Sequence, residues 1–199
     1  RGHLRGGQVL HGGGVADFRQ RHVSGRGGNA VGVGSWSVDG GSGPQDYMVI
    51  LSSGGEALVY TGTSPADADW AIVGIYRIGE PIGRRNTVKV ANELYVITKA
   101  GYIPMSQVAG MGEAAQNAAL SDRIRGAVLT AADKTASTFG WQPVFYPRGN
   151  YMLVNVPLST TIYHQHVVNV ATGAWCRFTG QNMACWCVFN GRLYAGGTN

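Results

Sequence analysis

Apolar and polar residues alternate along most of this chain at the two-residue step of a half-buried strand, and the runs are short and separated by turn residues. Tyr47-Met48-Val49-Ile50-Leu51 and Ala57-Leu58-Val59-Tyr60 flank Ser53-Gly54-Gly55 and predict a hairpin. After a polar loop, Trp70 to Tyr76 predicts a third strand, and Thr87 to Val90 with Leu94 to Ile97 predicts a second hairpin turning at Ala91-Asn92-Glu93. Met111 to Ser137 breaks the pattern. It is alanine-rich, without proline or aromatic rings, and Leu120, Ile124, Ala127 and Val128 recur at three- and four-residue steps, which predicts helix with one narrow apolar face. Ser121 is placed to cap a second helical part running from Asp122, with a break near Leu120. Strand texture resumes at Trp141 and continues through Tyr151–Val156, Ile162–Val168, Trp175–Phe178 and Ala184–Phe189. Asn190-Gly191, a strong hairpin signal, then leads into Arg192-Leu193-Tyr194-Ala195.

Residues 1–34 hold no long alternating stretch and read as an irregular Gly/Arg-rich arm, with Ser35 to Val38 a strand end. The chain then divides into 35–109, a helical insertion over 110–138, and 139–199. The two flanking regions repeat one another. Tyr-Met-Val-Ile at 47–50 stands beside Tyr-Met-Leu-Val at 151–154, Trp70 and Trp175 open later strands, and Val90-Ala91-Asn92-Glu93-Leu94-Tyr95 parallels Phe189-Asn190-Gly191-Arg192-Leu193-Tyr194. A repeat of this size suggests propeller blades, each a four-stranded antiparallel sheet packed on the next. The expected fold is therefore mainly β and propeller-like: two antiparallel four-stranded blade units with a helical insertion. A β-sandwich accounts for the strand count without the repeat. Two blades close no ring, so the chain reads as part of a longer polypeptide.

Composition supports the strand reading, with 31 glycines, 9 tyrosines and 5 tryptophans against only 14% charged residues. No apolar run approaches a membrane helix and no leader pattern opens the sequence, so it reads as unanchored. The net charge of +5 is concentrated at the start, where Arg1, Arg5, Arg19, Arg21 and Arg26 face the single acid Asp17. Such an arm attracts phosphate at most by charge.

The search for chemistry returns little. Cys176, Cys185 and Cys187 are odd in number, and Cys185 and Cys187 form a C-x-C pair without histidine at ligand spacing, which reads as buried small apolar thiols rather than a zinc site. His164 and His166 project to one strand face, with no third ligand nearby in sequence, and read as polar surface. Glycosidase or sialidase chemistry needs paired carboxylates, and sialidases need an arginine cluster as well; Asp69 with Arg84 and Arg85 is the nearest approach. Arg84-Arg85 is the basic pair to follow: it faces a DNA channel, or it is a pair of surface arginines in the loop after Pro81, or one arginine locks the blade by bonding carbonyls. No catalytic, cofactor or metal residues are assigned.

Val59-Tyr60-Thr61-Gly62-Thr63-Ser64-Pro65, Trp70 to Arg85 with its Ile78-Gly79-Glu80-Pro81-Ile82-Gly83-Arg84-Arg85, and Leu94 to Ser106 resemble the tail tubular, nozzle-type proteins of short-tailed bacteriophages and their prophage relatives. Leu120 to Arg125, Trp175 to Phe178 and Asn190 to Tyr194 continue the likeness, which covers about residues 30 to 199. The resemblance implies a structural virion component assembled in the bacterial cytoplasm. It implies a ring, with hexamers expected, below portal and adaptor proteins and beside tail fibres, through which the genome leaves. It implies no catalysis and no cofactor, and at most non-specific contact with DNA. Leu120, Ile124 and Val128 are then the expected oligomer contact, and Arg84 and Arg85 the channel or loop contact. The rival expectation is a propeller-like carbohydrate-binding module or glycan-active enzyme.

Overall fold

A computed structural model describes residues 7–11, 14–18, 25–39, 43–66, 68–111 and 120–197. The chain is mainly β, and every named strand pair is antiparallel. β1 (Gly7–His11) and β2 (Gly14–Phe18) form a hairpin. Sheet I has the order β3 (Ala30–Asp39), β4 (Pro44–Ser52), β5 (Glu56–Thr61), β6 (Ala71–Arg77). Sheet II is β7 (Thr87–Val90), β8 (Glu93–Thr98), β9 (Gly101–Pro104). Sheet III is β10 (Gln142–Tyr146), β11 (Tyr151–Pro157), β12 (Tyr163–Asn169), β13 (Trp175–Phe178), and sheet IV is β14 (Met183–Phe189) with β15 (Arg192–Gly197). Each sheet is a meander, built from strands consecutive in sequence.

The expected grouping of residues 35–109 and 139–199 into two four-stranded units is corrected by this pairing. The stretch read as one unit is cut between β6 and β7, and the other between β13 and β14. The missing first strand of sheet I is β3, ten residues long, which starts inside the arm read as irregular. Its glycines disguised it. A Cβ on Gly34 would stand 2.8 Å from both methyls of Leu94, so glycine there marks a close approach of sheet I to sheet II rather than a break.

Register explains why the repeat was visible although its boundaries were misplaced. Met48 pairs with Tyr60 and Ile50 with Leu58 in sheet I, as Met152 pairs with Val168 and Val154 with His166 in sheet III. Val88 pairs with Tyr95 in sheet II as Cys187 pairs with Tyr194 in sheet IV. The repeating unit is thus the last three strands of one sheet plus the first hairpin of the next. Trp70 and Trp175 lie on corresponding faces, two residues out of register. Ile72 stands opposite Tyr60 where Trp175 stands opposite Val168, because a bulge at Val59/Tyr60 offsets β6, and Trp70 stacks on Tyr60 from just ahead of that strand (centroids 5.3 Å).

Three apolar layers join the sheets. Val49, Leu51, Ala57 and Val59 of sheet I pack with Leu94, Val96 and Ile103 of sheet II and with Met105 and Val108 of helix α1 (Met105–Met111). Ile97 and Tyr102 of sheet II pack with Met152, Val154 and Val168 of sheet III, and Val144, Leu153 and Val167 pack with Trp186 of sheet IV. The first strands β3, β7, β10 and β14 adjoin one another in turn.

Helix α2 (Arg125–Thr135) follows a 3-10 turn at Asp122–Ile124. Its Val128, Ala131 and Ala132 belong to the layer between sheets II and III, and the indole of Trp141 donates to Thr135 O at 2.7 Å. Leu120 and Ser121 form a turn ahead of the 3-10 segment, and Ser121 makes no capping hydrogen bond with its side chain: its hydroxyl accepts from the Tyr102 backbone N–H at 3.0 Å and ties the segment to β9. The Gly112 to Ala119 part of the expected helix lies outside the described residues. No described helix is long and apolar enough to cross a membrane.

Candidate functional site

Sheets I and III correspond position by position, so the places where polar side chains replace apolar ones stand out. Leu58 corresponds to His166, Leu51 to Asn155 and Ala57 to Gln165. Because strand side chains alternate, His164 and His166 point toward sheet II while Asn155 and Gln165 point toward sheet IV. Sheet III therefore carries a polar cluster on each face, and both are buried.

On the sheet II side, Tyr102 Oη lies 2.8 Å from His166 Nδ1, and His166 Nε2 lies 3.0 Å from His164 Nε2. Burial raises the Tyr102 pKa, so the phenol keeps its proton and donates it to Nδ1. His166 must then carry its own proton on Nε2 and donate to His164, whose proton sits on Nδ1. This directed chain needs both rings neutral, and the surroundings favour that form. Burial, then His164 and Arg177, push His166 down to about 3, and burial followed by Arg177 lowers His164. Arg177 stands directly opposite His166 in the β12–β13 ladder. The reading of these histidines as exposed polar surface is corrected: a single sequence shows that they share a face, not that sheet II covers it. Among the described residues no third His, Cys, Asp or Glu joins them in a group that could hold a metal ion.

On the sheet IV side, Asn155 uses its whole amide. Its Nδ2 donates to Gly140 O (2.8 Å) and Met183 O (3.0 Å), and its Oδ1 accepts from Gln165 Nε2 (2.9 Å) and the Trp186 indole (3.0 Å). Gln165 Nε2 also donates to Gln181 O at 3.0 Å. Gln142 extends the network along β10, accepting from Trp186 N at 3.0 Å and donating to Trp186 O at 2.8 Å. The arrangement crosslinks sheet III to sheet IV by side-chain amides that imitate strand backbone.

Arg85 enters this network from the loop before β7. Its guanidinium donates to Gln142 Oε1 (2.8 Å) and Ala184 O (3.2 Å) and lies 4.9 Å from the Phe139 ring centre. One arginine thus ties the entry to sheet II to sheets III and IV, with a bond to a carbonyl of the kind expected of a lock. Arg84, beside it, is exposed. Asp69 is exposed in the loop ahead of β6, and Asp67 lies outside the described residues.

Of the three residues expected to form an oligomer contact, Val128 is fully buried in the layer between sheets II and III, and Leu120 and Ile124 are partly buried against the same layer. The three cysteines are free and exposed rather than buried as expected, because Cys185 and Cys187 alternate away from Trp186 onto the open face of sheet IV. Tyr102, Asn155, Gln142 and Gln165 were not singled out from sequence; polar residues inside otherwise apolar strands were the available signal. Compared with models of known families and with curated proteins, the chain matches none.

Proposed function

We propose that the chain is an arc of a β-propeller serving as a structural component of a phage tail tube, a nozzle-like ring on the path of the genome. The observation that carries the architecture is the adjacency of β3, β7, β10 and β14, the first strands of four successive meander sheets, as the inner strands of propeller blades adjoin around an axis. Counted this way, the blades are the four-, three-, four- and two-stranded sheets I to IV. The virion role rests on the motif resemblance at residues 59–106. The burial of polar side chains in crosslinks between sheets fits a part that must keep its shape under load.

In this reading the protein self-associates into a ring, with hexamers as the resemblance implies, and meets portal, adaptor and fibre proteins in the virion. Contact with duplex DNA is by charge alone and weakens steeply with salt. Electron microscopy of the purified protein tests it: rings with a central opening are expected. A strict monomer that binds or cleaves glycans would overturn it in favour of a carbohydrate-directed propeller.

A further inference from the structure

We infer that His164 and Arg177, on the sheet II side of sheet III, form a binding site for a carboxylate, with the buried Tyr102 and His166 holding the imidazole donor in place. The inference does not depend on the tail-tube reading. Its geometry comes from the hydrogen-bonded chain. Tyr102 Oη stands 2.8 Å from His166 Nδ1 and His166 Nε2 stands 3.0 Å from His164 Nε2, so the relay ends on the Nδ1–H of His164. Among the described residues that N–H has no acceptor, although His164 is only 8% exposed, and it is not sealed from solvent. A donor fixed in a nearly buried ring and left without an acceptor calls for a ligand or a water.

Arg177 supplies the charge. It stands opposite His166 in the β12–β13 ladder, on the face that bears both rings, and one diagonal step from His164, within reach of a long side chain. It is exposed, and among the described residues no carboxylate pairs with it. The repeat indicates that the fold does not require this grouping, because sheet I sets Leu58 opposite Ile75 where sheet III sets His166 opposite Arg177. The Tyr102 bond to His166 joins sheet II to sheet III, but His164 and Arg177 belong to one sheet and add nothing to that join. Together they are the two halves of an oxyanion site: one oxygen accepts from Nδ1–H and the other from the guanidinium, whose planar fork fits a carboxylate. With both rings neutral the site carries the single positive charge of Arg177, which matches a monoanion better than the more highly charged phosphate. The donors of Tyr102, His166 and His164 run head to tail, so each polarises the next toward the anion.

NMR of the native full chain, carbon-13-labelled at histidine, tests the site at neutral pH while sodium acetate replaces sodium chloride at constant ionic strength. The His164 ring signal is expected to move saturably, half-way at about 1–10 mM, while those of His3, His11 and His22 stay still. Arg177→Gln is expected to weaken binding about tenfold or more with a denaturation midpoint no lower than wild type, since the side chain is exposed, and Arg177→Lys to recover part of the loss. Nitrogen-15 shifts are expected to place the His164 proton on Nδ1. Acetate binding as tightly as glutamate blocked at both ends assigns the site to a small free acid, and a preference of about tenfold or more for the blocked glutamate assigns it to a protein side chain. An unchanged affinity in Arg177→Gln, a non-saturating shift shared by all the histidines, a His164 proton on Nε2, or phosphate binding more tightly than acetate would each overturn the proposal.

Discussion

Replacing Asn155 by leucine, the residue that sheet I carries at the corresponding position, is the sharpest test of the buried amide network. The side chain is fully buried and makes four hydrogen bonds. At a net value of about 1 kcal/mol each, their loss costs about 4 kcal/mol. The Trp186 indole N–H is left without its acceptor, which adds about 1–3 kcal/mol of desolvation, while the leucine side chain returns about 2 kcal/mol of apolar burial. The balance is a destabilisation of about 3–5 kcal/mol, at the upper end for a single substitution. Urea denaturation followed by tryptophan fluorescence and by circular dichroism measures it. Gln165→Leu alone is expected to cost less, and the double variant less than the sum, because one bond is shared. A shift below about 1 kcal/mol for Asn155→Leu would refute the view that these amides join sheets III and IV.

Arg85→Lys should cost about 1–2 kcal/mol, since an ammonium replaces neither the two-pronged donation to Gln142 and Ala184 nor the contact with Phe139, whereas Arg84→Lys should stay within about 0.5 kcal/mol; equal midpoints for the two would remove the lock. Folded His166 has a pKa below that of the unfolded chain, so its contribution is complete above the unfolded value of about 6.5 and is lost as acid protonates the unfolded chain on the way down to about 3. Stability measured in urea from pH 7 to pH 4 should therefore fall more steeply for wild type than for His166→Leu, and parallel profiles would contradict the neutral relay. Val128→Ala should cost about 2 kcal/mol by removing a fully buried side chain, against less than about 0.5 kcal/mol for the exposed Leu129→Ala; the opposite order in thermal melts would return the α2 stripe to an outer surface.

Local pattern carried β4 to β8 and β11 to β15, the hairpin turns at Ala91-Asn92-Glu93 and Asn190-Gly191, the helix around Val128 and the repeat, because each depends mostly on residues a few positions apart. Ala91 and Asn190 both sit at positive φ, 52° and 47°, so the two turns share a backbone device through different residues. What the pattern could not decide is which strand ends one sheet and which begins the next. β6 and β7 are separated in the chain much as β5 and β6 are, and only the packing of Gly34 against Leu94 and the adjacency of β3, β7, β10 and β14 divide them. The site followed the same division. Alternation placed His164 and His166 on one face of their strand, but their burial, and that of Asn155 on the other side of sheet III, depends on covering sheets built from residues 87–104 and 183–197. Arg85 was legible as a charge near a loop; that Gln142 and Ala184, distant in sequence, wait at hydrogen-bond distance is a property of the folded chain alone.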